Sequence, residues 1–267
     1  MISPLAHIHP AARLASGVTV EPFTSIGGDV EIGENTWVGP NVTIMDGARI
    51  GANCQIFPGA VISAIPQDLK FAGEVTTAHI GDYTVLRECV TVNRGTVERG
   101  RTVVGSHCLL QAYVHIAHDC LVGSHCVISN ATQMAGHVQV GDWAIIGGTS
   151  AIHQFTNIGA HAFIAGGSLV RTDVPPFVKA AREPLTYAGV NSVGLSRRGF
   201  SETQVHQIHE LYRLLYLSGI SQQEALARME TEFAPSQERD LVISFVRNAT
   251  RGIIKGPSRR RGEESAD

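Results

Sequence analysis

The sequence predicts a parallel β-helix built from hexapeptide repeats, followed by an α-helical C-terminal domain. Counting every sixth residue from Ile2 to Val170 gives 29 positions, and 26 of them hold Ile, Leu, Val or Met. A small residue stands four places after most of these positions. A period of six fits neither an α-helix nor a free-standing strand, but it is a known signature of parallel β-helices. We therefore expect a mainly β, triangular prism in which three hexads form one coil.

The small positions are expected to fill the prism interior beside the aliphatic residues. Four of the five cysteines occupy such positions. They are Cys54, Cys108, Cys120 and Cys126. This placement favours buried thiols over disulfides or a zinc site. Glycine often follows the aliphatic residue directly, as at Gly33 and Gly105, and we expect these glycines at corners where a positive φ is tolerated.

Two segments interrupt the repeat. Its aliphatic position is lost at Asp68, Glu74 and Glu98. The interruptions fall in residues 63–77 and 94–101, which must therefore leave the prism and return to it. Loops that project from a rigid solenoid commonly carry binding groups. We expect both loops to serve a site, the first more than the second.

The period changes after the repeat ends near Val170. Residues 173–176, Asp-Val-Pro-Pro, are expected to close the prism, because consecutive prolines cannot continue a hydrogen-bonded strand. We predict a β-helix over residues 1–173 and an α-helical domain over 174–255. Its helices are expected at 201–219, 221–233 and 236–251. The charged, apolar-poor residues 256–267 are expected to be disordered.

The overall composition suits a globular enzyme. The net charge of -3 and the hydrophobic content of 43% give no reason to expect a nucleic-acid partner. The first residues lack the basic and apolar regions of a signal peptide, and no stretch approaches the roughly 18 apolar residues of a membrane span. We therefore expect a cytoplasmic protein with no transmembrane segment.

The polar residues with the clearest chemical meaning lie inside the repeat. Outward-facing histidines stand on three neighbouring coils, together with an acid and an amide. They are His115, His118, His137 and His153, with Asp119 and Gln154. A neutral imidazole can accept a proton at neutral pH, and an adjacent carboxylate can orient it. A zinc site with three histidines is the alternative, which metal analysis would distinguish.

Several segments resemble one enzyme family in order and spacing over nearly the whole chain. They are residues 67–74 (QDLKFAGE), 94–96 (RGT), 115–120 (HIAHDC), 135–138 (AGHV), 145–148 (IIGG), 153–155 (HQF), 173–176 (DVPP) and 194–200 (GLSRRGF). With them the chain closely resembles the UDP-N-acetylglucosamine acyltransferases, which begin lipid A synthesis in Gram-negative bacteria. The resemblance implies a homotrimer of left-handed β-helices, with active sites in clefts between neighbouring subunits. It implies no cofactor and no metal.

The resemblance also implies a mechanism. His118 matches the family's general base, which removes the proton from the sugar 3-hydroxyl of UDP-N-acetylglucosamine. That oxygen attacks the thioester of a 3-hydroxyacyl group on acyl carrier protein. Asp119 would support the imidazole, and the backbone N–H of Gly136 would donate to the oxyanion.

Further contacts are implied with the same substrates. Gln67, Asp68, Lys70, His115 and His137 would face the sugar and the reacting centre. His153, Gln154 and Asn191 would contact the nucleotide or the acyl arm. Arg197 and Arg198 would bind the diphosphate, since guanidinium groups form charge-assisted bonds to phosphate oxygens. Gly166 would leave room for a longer acyl chain.

Two positions depart from the family pattern. Asn93 stands where the family usually has histidine, and Val193 stands where an acidic residue is common. These departures leave open whether the acceptor carries a 3-hydroxyl or a 3-amino group. The UDP-3-O-acylglucosamine N-acyltransferases are another alternative, but they usually carry an extra N-terminal domain, and here the repeat starts at Ile2. Coenzyme A acetyltransferases and a non-enzymatic trimeric scaffold are the remaining alternatives.

Overall fold

The computed structural model describes residues 1–257 and confirms the predicted fold class. The chain winds into a left-handed parallel β-helix with three sheets, and helices follow it. No helix within the described residues combines the length and the apolar character needed to cross a membrane.

Each sheet forms one face of a triangular prism, and the faces are numbered here in the order in which the chain visits them. Face 1 comprises His7–Ile8, Ser25–Ile26, Thr43–Ile44, Val61–Ala64, Thr91–Asn93, His115–Ile116, Gln133–Met134, Ala151–Ile152 and Leu169–Val170. Face 2 comprises Arg13–Leu14, Glu31–Ile32, Ala48–Ile50, Thr77–Ile80, Arg101–Val104, Leu121–Val122, Gln139–Val140 and Asn157–Ile158. Face 3 comprises Thr19–Val20, Trp37–Val38, Gln55–Ile56, Val85–Leu86, Leu109–Leu110, Val127–Ile128, Ile145–Ile146, Phe163–Ile164, Val178–Ala181 and Thr186–Val190.

The repeat sets the register between coils. Ile116 pairs with Met134, one coil of 18 residues further along, and Met134 pairs with Ile152. All three side chains are at most 2% exposed, so the aliphatic positions stack into a continuous core. The four small-position cysteines are free and buried in the same interior. One coil cannot bury its own apolar side, and stability therefore comes from stacking.

The corners differ from the sequence-based expectation. None of the glycines that directly follow the aliphatic position has a positive φ. The left-handed residue lies two places further on, and it is an Asn, His, Tyr, Trp or Phe in most coils. Glycine is needed instead for close approach, because a Cβ on Gly105 would lie 2.6 Å from the carbonyl carbon of Gly123 in the next coil. Our assignment of these glycines to positive φ was wrong.

Rings at one corner stack into a column along the edge between faces 2 and 3, here called the aromatic edge. It runs through Tyr83, His107, His125, Trp143, His161 and Phe177. Adjacent ring centroids are 4.0 to 6.3 Å apart and nearly parallel. Residues in the left-handed region are uncommon outside glycine. Here that conformation aims successive rings along the same line.

Both interruptions of the repeat leave the prism at the edge between faces 1 and 2. The first loop occupies residues 65–76 and the second 94–100, each between a strand of face 1 and a strand of face 2. The loops contact each other, since the Arg94 guanidinium lies 5.5 Å over the Phe71 ring. The second loop is also anchored to the prism, because the Gly95 N–H donates to the Thr77 carbonyl over 3.1 Å.

The prism continues past the two prolines. Val178–Ala181 pairs in parallel with Phe163–Ile164 and then turns back to pair with Thr186–Val190 in antiparallel. The last coil is shorter, since Lys179 lies opposite Phe163, only 16 residues away. The prolines therefore occupy a turn in which no ladder N–H is required.

Within residues 1–257, four helices follow this hairpin. They are α1 (Ser192–Arg197), α2 (Glu202–Leu217), α3 (Gln222–Glu232) and α4 (Gln237–Arg247). Ser201, Ser221 and Ser236 cap α2, α3 and α4 through their side chains, and Ser201 forms a full capping box with Gln204. The fourth helix ends at Arg247 rather than 251. Of the tail expected to be disordered, residues 258–267 lie outside the described residues.

Candidate active site

The edge between faces 1 and 2, here called the site edge, carries most of the chemistry. It includes both loops and the turns at residues 117–120, 135–138 and 153–156, which lie one coil apart. His118, Gly136 and Gln154 occupy equivalent positions of these three turns. The hexapeptide period therefore stacks them above one another.

His118 and Asp119 form a buried pair on the first of these turns. The His118 Nδ1 lies 2.9 Å from the Asp119 Oδ2, and the two residues are 8% and 0% exposed. Asp119 adopts a φ of 60°, a region that Asp tolerates better than most residues. A hydrogen bond from Nδ1–H to the carboxylate leaves the Nε2 lone pair free to accept a proton.

Thr96, from the second loop, holds the other side of the Asp119 carboxylate. Its backbone N–H donates to Oδ1 over 3.0 Å and its hydroxyl donates to Oδ2 over 2.6 Å. Burial works against ionisation of Asp119, but the hydrogen bonds from Thr96 and His118 outweigh it and lower the pKa of the carboxyl group. Asp119 is therefore a carboxylate at neutral pH.

Gly136 lies directly against the His118 ring. A Cβ at this position would stand 2.5 Å from the ring's Cε1 and 2.6 Å from its Nε2. Among the described residues, no backbone acceptor receives the Gly136 N–H. The turn therefore presents a free backbone donor beside the nitrogen that can act as a base.

Two further histidines surround the pair. His137 stacks on Phe155 at 4.6 Å, and its Nε2 lies 3.5 Å from Glu98 and 3.7 Å from Asp119. His115 shares a hydrogen bond of 2.7 Å with the Thr91 hydroxyl. Burial lowers the pKa of both imidazoles, which favours their neutral form.

A cleft of about 380 Å³ opens on face 1 in front of the pair. Its lining includes Gln67, His115, His118, Gly136 and Ile152. A larger cleft of about 1090 Å³ lies between face 2 and α4 and reaches His137 and Phe155, but it touches neither His118 nor Gly136. Of these two clefts, the smaller one is therefore the one that gives access to His118 and Gly136.

The remaining implied contacts on the site edge are more exposed. His153 follows the strand of the next coil and its Nδ1 lies 3.1 Å from the Gln154 carbonyl. Asp68 and Lys70 lie in the first loop, where Asp68 accepts a hydrogen bond from the Lys70 backbone over 3.0 Å. None of these three residues is part of the lining of the smaller cleft.

Four implied residues lie elsewhere in this chain. Asn191 donates from Nδ2 to the His161 carbonyl over 3.0 Å, and the Arg198 guanidinium lies 5.3 Å over the Trp143 ring. Arg197 is exposed beside Arg198, so these residues belong to the aromatic edge. Gly166 lies near the third edge, between face 3 and the next strand of face 1. One chain does not bring these residues to His118.

Thr96 and Glu98 were not among the candidates from the sequence. The motif Arg94-Gly95-Thr96 was visible, but nothing in one sequence shows that its threonine reaches a turn 23 residues away. The second loop makes the direct bonds to the buried pair, so ranking it below the first loop was wrong for this contact.

The same residues could offer ligand atoms to a metal. Donor atoms of His118, Asp119 and His137 lie within 4.8 Å of one another. However, the Asp119 carboxylate already accepts three hydrogen bonds, and His118 Nδ1 is engaged in one of them. A bound ion would have to displace these donors, so the arrangement fits a hydrogen-bonded acid–base pair better.

Comparison with known proteins finds relatives over nearly the whole chain. A family model described as UDP-N-acetylglucosamine O-acyltransferase, domain 2, matches residues 173–254, and the bacterial transferase hexapeptide model matches residues 29–64 and 101–133. Relatives named acyl-(acyl-carrier-protein)–UDP-N-acetylglucosamine O-acyltransferase include one from Thiobacillus denitrificans, 44% identical over 95% of this chain and 99% of that protein. Another, from Chlorobaculum parvum, is 57% identical over 93% of this chain and 97% of that protein.

Solved structures show the same architecture. A UDP-N-acetylglucosamine acyltransferase from Bacteroides fragilis matches with a TM-score of 0.94 and 48% identity, covering 96% of this chain and all 100% of that one. The enzyme from Francisella novicida matches with a TM-score of 0.94 and 38% identity, covering 97% and 95%. The chain belongs to the family of UDP-N-acetylglucosamine O-acyltransferases.

Proposed function

We propose that the protein transfers a 3-hydroxyacyl group from acyl carrier protein to the 3-hydroxyl of UDP-N-acetylglucosamine, the first step of lipid A biosynthesis. The relatives are named for acyl transfer from acyl carrier protein to this nucleotide sugar. One observation carries the chemistry: a buried His118–Asp119 pair stands beside the free N–H of Gly136 at the floor of a cleft.

His118 is the general base in this proposal. Its Nε2 takes the proton of the sugar hydroxyl as the oxygen attacks the thioester carbon, and Asp119 stabilises the imidazolium that forms. The C–S bond then breaks, and the imidazolium returns its proton to the leaving thiolate. The carboxylate suits this role because its lowered pKa keeps it ionised when the imidazole is charged.

The Gly136 N–H stabilises the oxyanion of the tetrahedral intermediate. A fixed donor aimed at developing charge needs no reorganisation during the reaction, and loss of one such donor typically costs about 10² to 10³ in kcat. The absence of a side chain at Gly136 also lets the His118 ring lie against the same turn.

Substrate recognition would draw on the groups around the cleft. Gln67, Asp68, Lys70, His115 and His137 would contact the sugar, and His153 and Gln154 the nucleotide or acyl arm. Asn191, Arg197 and Arg198 would bind the nucleotide across an interface, because they lie on the aromatic edge of one chain. A homotrimer that sets the aromatic edge of one copy beside the site edge of its neighbour supplies them. Gly166 would then limit the acyl chain.

The donor and acceptor are both water-soluble, and we propose the cytoplasm as the place of reaction. The acceptor could instead carry a 3-amino group, since Asn93 and Val193 differ from the family pattern. Asn93 is buried, and its Oδ1 has no hydrogen-bond partner among the described residues. The amino group of a 3-amino sugar carries N–H groups that could donate a hydrogen bond to this oxygen.

The test is product formation by the purified protein. It is incubated with 3-hydroxyacyl carrier proteins of several chain lengths and with either UDP-N-acetylglucosamine or its 3-amino analogue, and products are identified by mass spectrometry. O-acylated product with the first acceptor supports the proposal. Product with the amine alone would move the assignment to N-acylation, and no product with either would refute it.

A further inference from the structure

We infer that Thr96 is a positioning residue of the acyl transfer, acting on His118 only through Asp119. The inference rests on the proposed function of the pair. Thr96 does not line the smaller cleft, and its side chain and backbone N–H donate to Asp119 rather than to the imidazole. Its role is to fix the carboxylate that fixes the base.

Thr96 is bound to Asp119 through both its backbone and its side chain. Thr96 is 5% exposed and binds both oxygens of a carboxylate that is itself 0% exposed. Hydrogen bonds to an ionised group contribute more to stability than hydrogen bonds between neutral groups. Two donors on one carboxylate also fix its plane, and this plane decides where the His118 Nδ1–H must point.

The loop that carries Thr96 is itself held in place. The Thr76 hydroxyl donates to the Gly95 carbonyl over 2.6 Å, and the Gly100 N–H donates to the Thr96 carbonyl over 2.7 Å. A Cβ on Gly95 would lie 2.3 Å from the Arg101 nitrogen, so only glycine allows the chain to pass there. A residue that merely filled space would not need its backbone fixed on both sides.

The chemical consequence concerns the charge on Asp119. Burial alone would favour the neutral acid, which could not stabilise a charged imidazole. The Thr96 donors favour the carboxylate and engage both of its oxygens, so that the bond to His118 is the one that changes during the reaction. Loss of the hydroxyl should therefore lower the rate of the chemical step without altering substrate affinity.

Thr96→Val removes the hydroxyl and keeps the shape and the backbone N–H. We expect kcat to fall by about 10- to 100-fold, the range that one charge-assisted hydrogen bond implies, with KM unchanged and activity restored in Thr96→Ser. Thr24→Val is the matched control, since Thr24 is a buried threonine whose hydroxyl donates to the Gly39 carbonyl far from the site.

A double-mutant cycle with Asp119→Asn separates positioning from folding. If Thr96 acts through Asp119, Thr96→Val has no further effect on kcat in the Asp119→Asn background. The inference would be overturned if Thr96→Val lowered kcat by the same factor in the parent protein and in Asp119→Asn. It would also be overturned if Thr96→Val kept the full kcat. An inactive parent protein would instead count against the proposed function. If Thr96→Val unfolds, Thr96→Ser and Thr96→Ala are compared instead. The inference is supported if Thr96→Ser keeps the parental kcat and pH profile, while Thr96→Ala is inactive and keeps the parental melting temperature.

Discussion

Gly136→Ala adds one methyl group beneath the His118 ring and leaves the backbone N–H in place. The φ of Gly136 is not in the left-handed region, so alanine can adopt the same backbone conformation. The new Cβ would lie 2.5 Å from Cε1 and 2.6 Å from Nε2 of His118. The substitution therefore tests the position of the base separately from the oxyanion donor.

The size of the effect follows from the overlap. Carbon atoms in contact prefer a separation of about 3.5 to 4.0 Å, so the imidazole must retreat by roughly 1 Å. The ring is 8% exposed and bound to Asp119, and retreat strains or breaks that hydrogen bond. A misplacement of about 1 Å can cost 10²-fold in rate. We expect kcat to fall by at least about 100-fold.

The assay is the initial rate of acyl transfer at saturating substrates, with the melting temperature measured on the same samples. Gly28→Ala is the matched control, because Gly28 is the equivalent residue of an earlier coil on the site edge. Its added Cβ would lie 2.9 Å from Nδ1 of His9, an exposed ring that can move aside. Full activity of Gly136→Ala, or an equal loss in Gly28→Ala, would refute the reasoning.

Two further predictions concern the proposed base and the acyl chain. His118→Ala should lower kcat by about 10² to 10⁴-fold while light scattering gives the same mass as for the parent protein, and an active variant would remove His118 from its role. Gly166→Met should shift the preferred acyl chain to shorter lengths in a competition among acyl carrier proteins. The added Cβ meets the Gly148 carbonyl at 3.2 Å, so only a small adjustment of the turn is needed. An unchanged chain-length profile would show that Gly166 does not measure the chain.

The repeat made the fold predictable because its signal is redundant. Each aliphatic residue, such as Ile116 or Met134, occupies the same inward position of a coil. The three repeat positions without an aliphatic residue indicate the loops, and they are too few to obscure the period of six. The prolines are the exception, since the sequence predicts that the prism closes at Pro175 and Pro176. The chain continues instead to Val178–Ala181, because a shortened turn absorbs both residues. A single coil of altered length leaves no periodic trace.

The site was predictable only as far as the period reaches. Coil spacing placed His118, Gly136 and Gln154 together, and the structure agrees with that stacking. It could not place Thr96, because a loop's path depends on anchors such as Gly95 that lie outside the repeat. Coil spacing also could not show that Asn191 and Arg198 lie away from His118 and Asp119. Which edge they occupy depends on the turns that follow the repeat.

The aromatic edge gives the molecule a built-in optical reporter. Trp143 is one of only two tryptophans, and its indole lies between His125 at 4.0 Å and His161 at 6.3 Å, with the Arg198 guanidinium over it. Burial lowers the pKa of His161 to about 4, so that imidazole is uncharged in neutral solution. Any anion that draws Arg198 away changes the electric field at this indole. The intrinsic fluorescence of Trp143 can therefore follow the binding of an anion to Arg198 without a label.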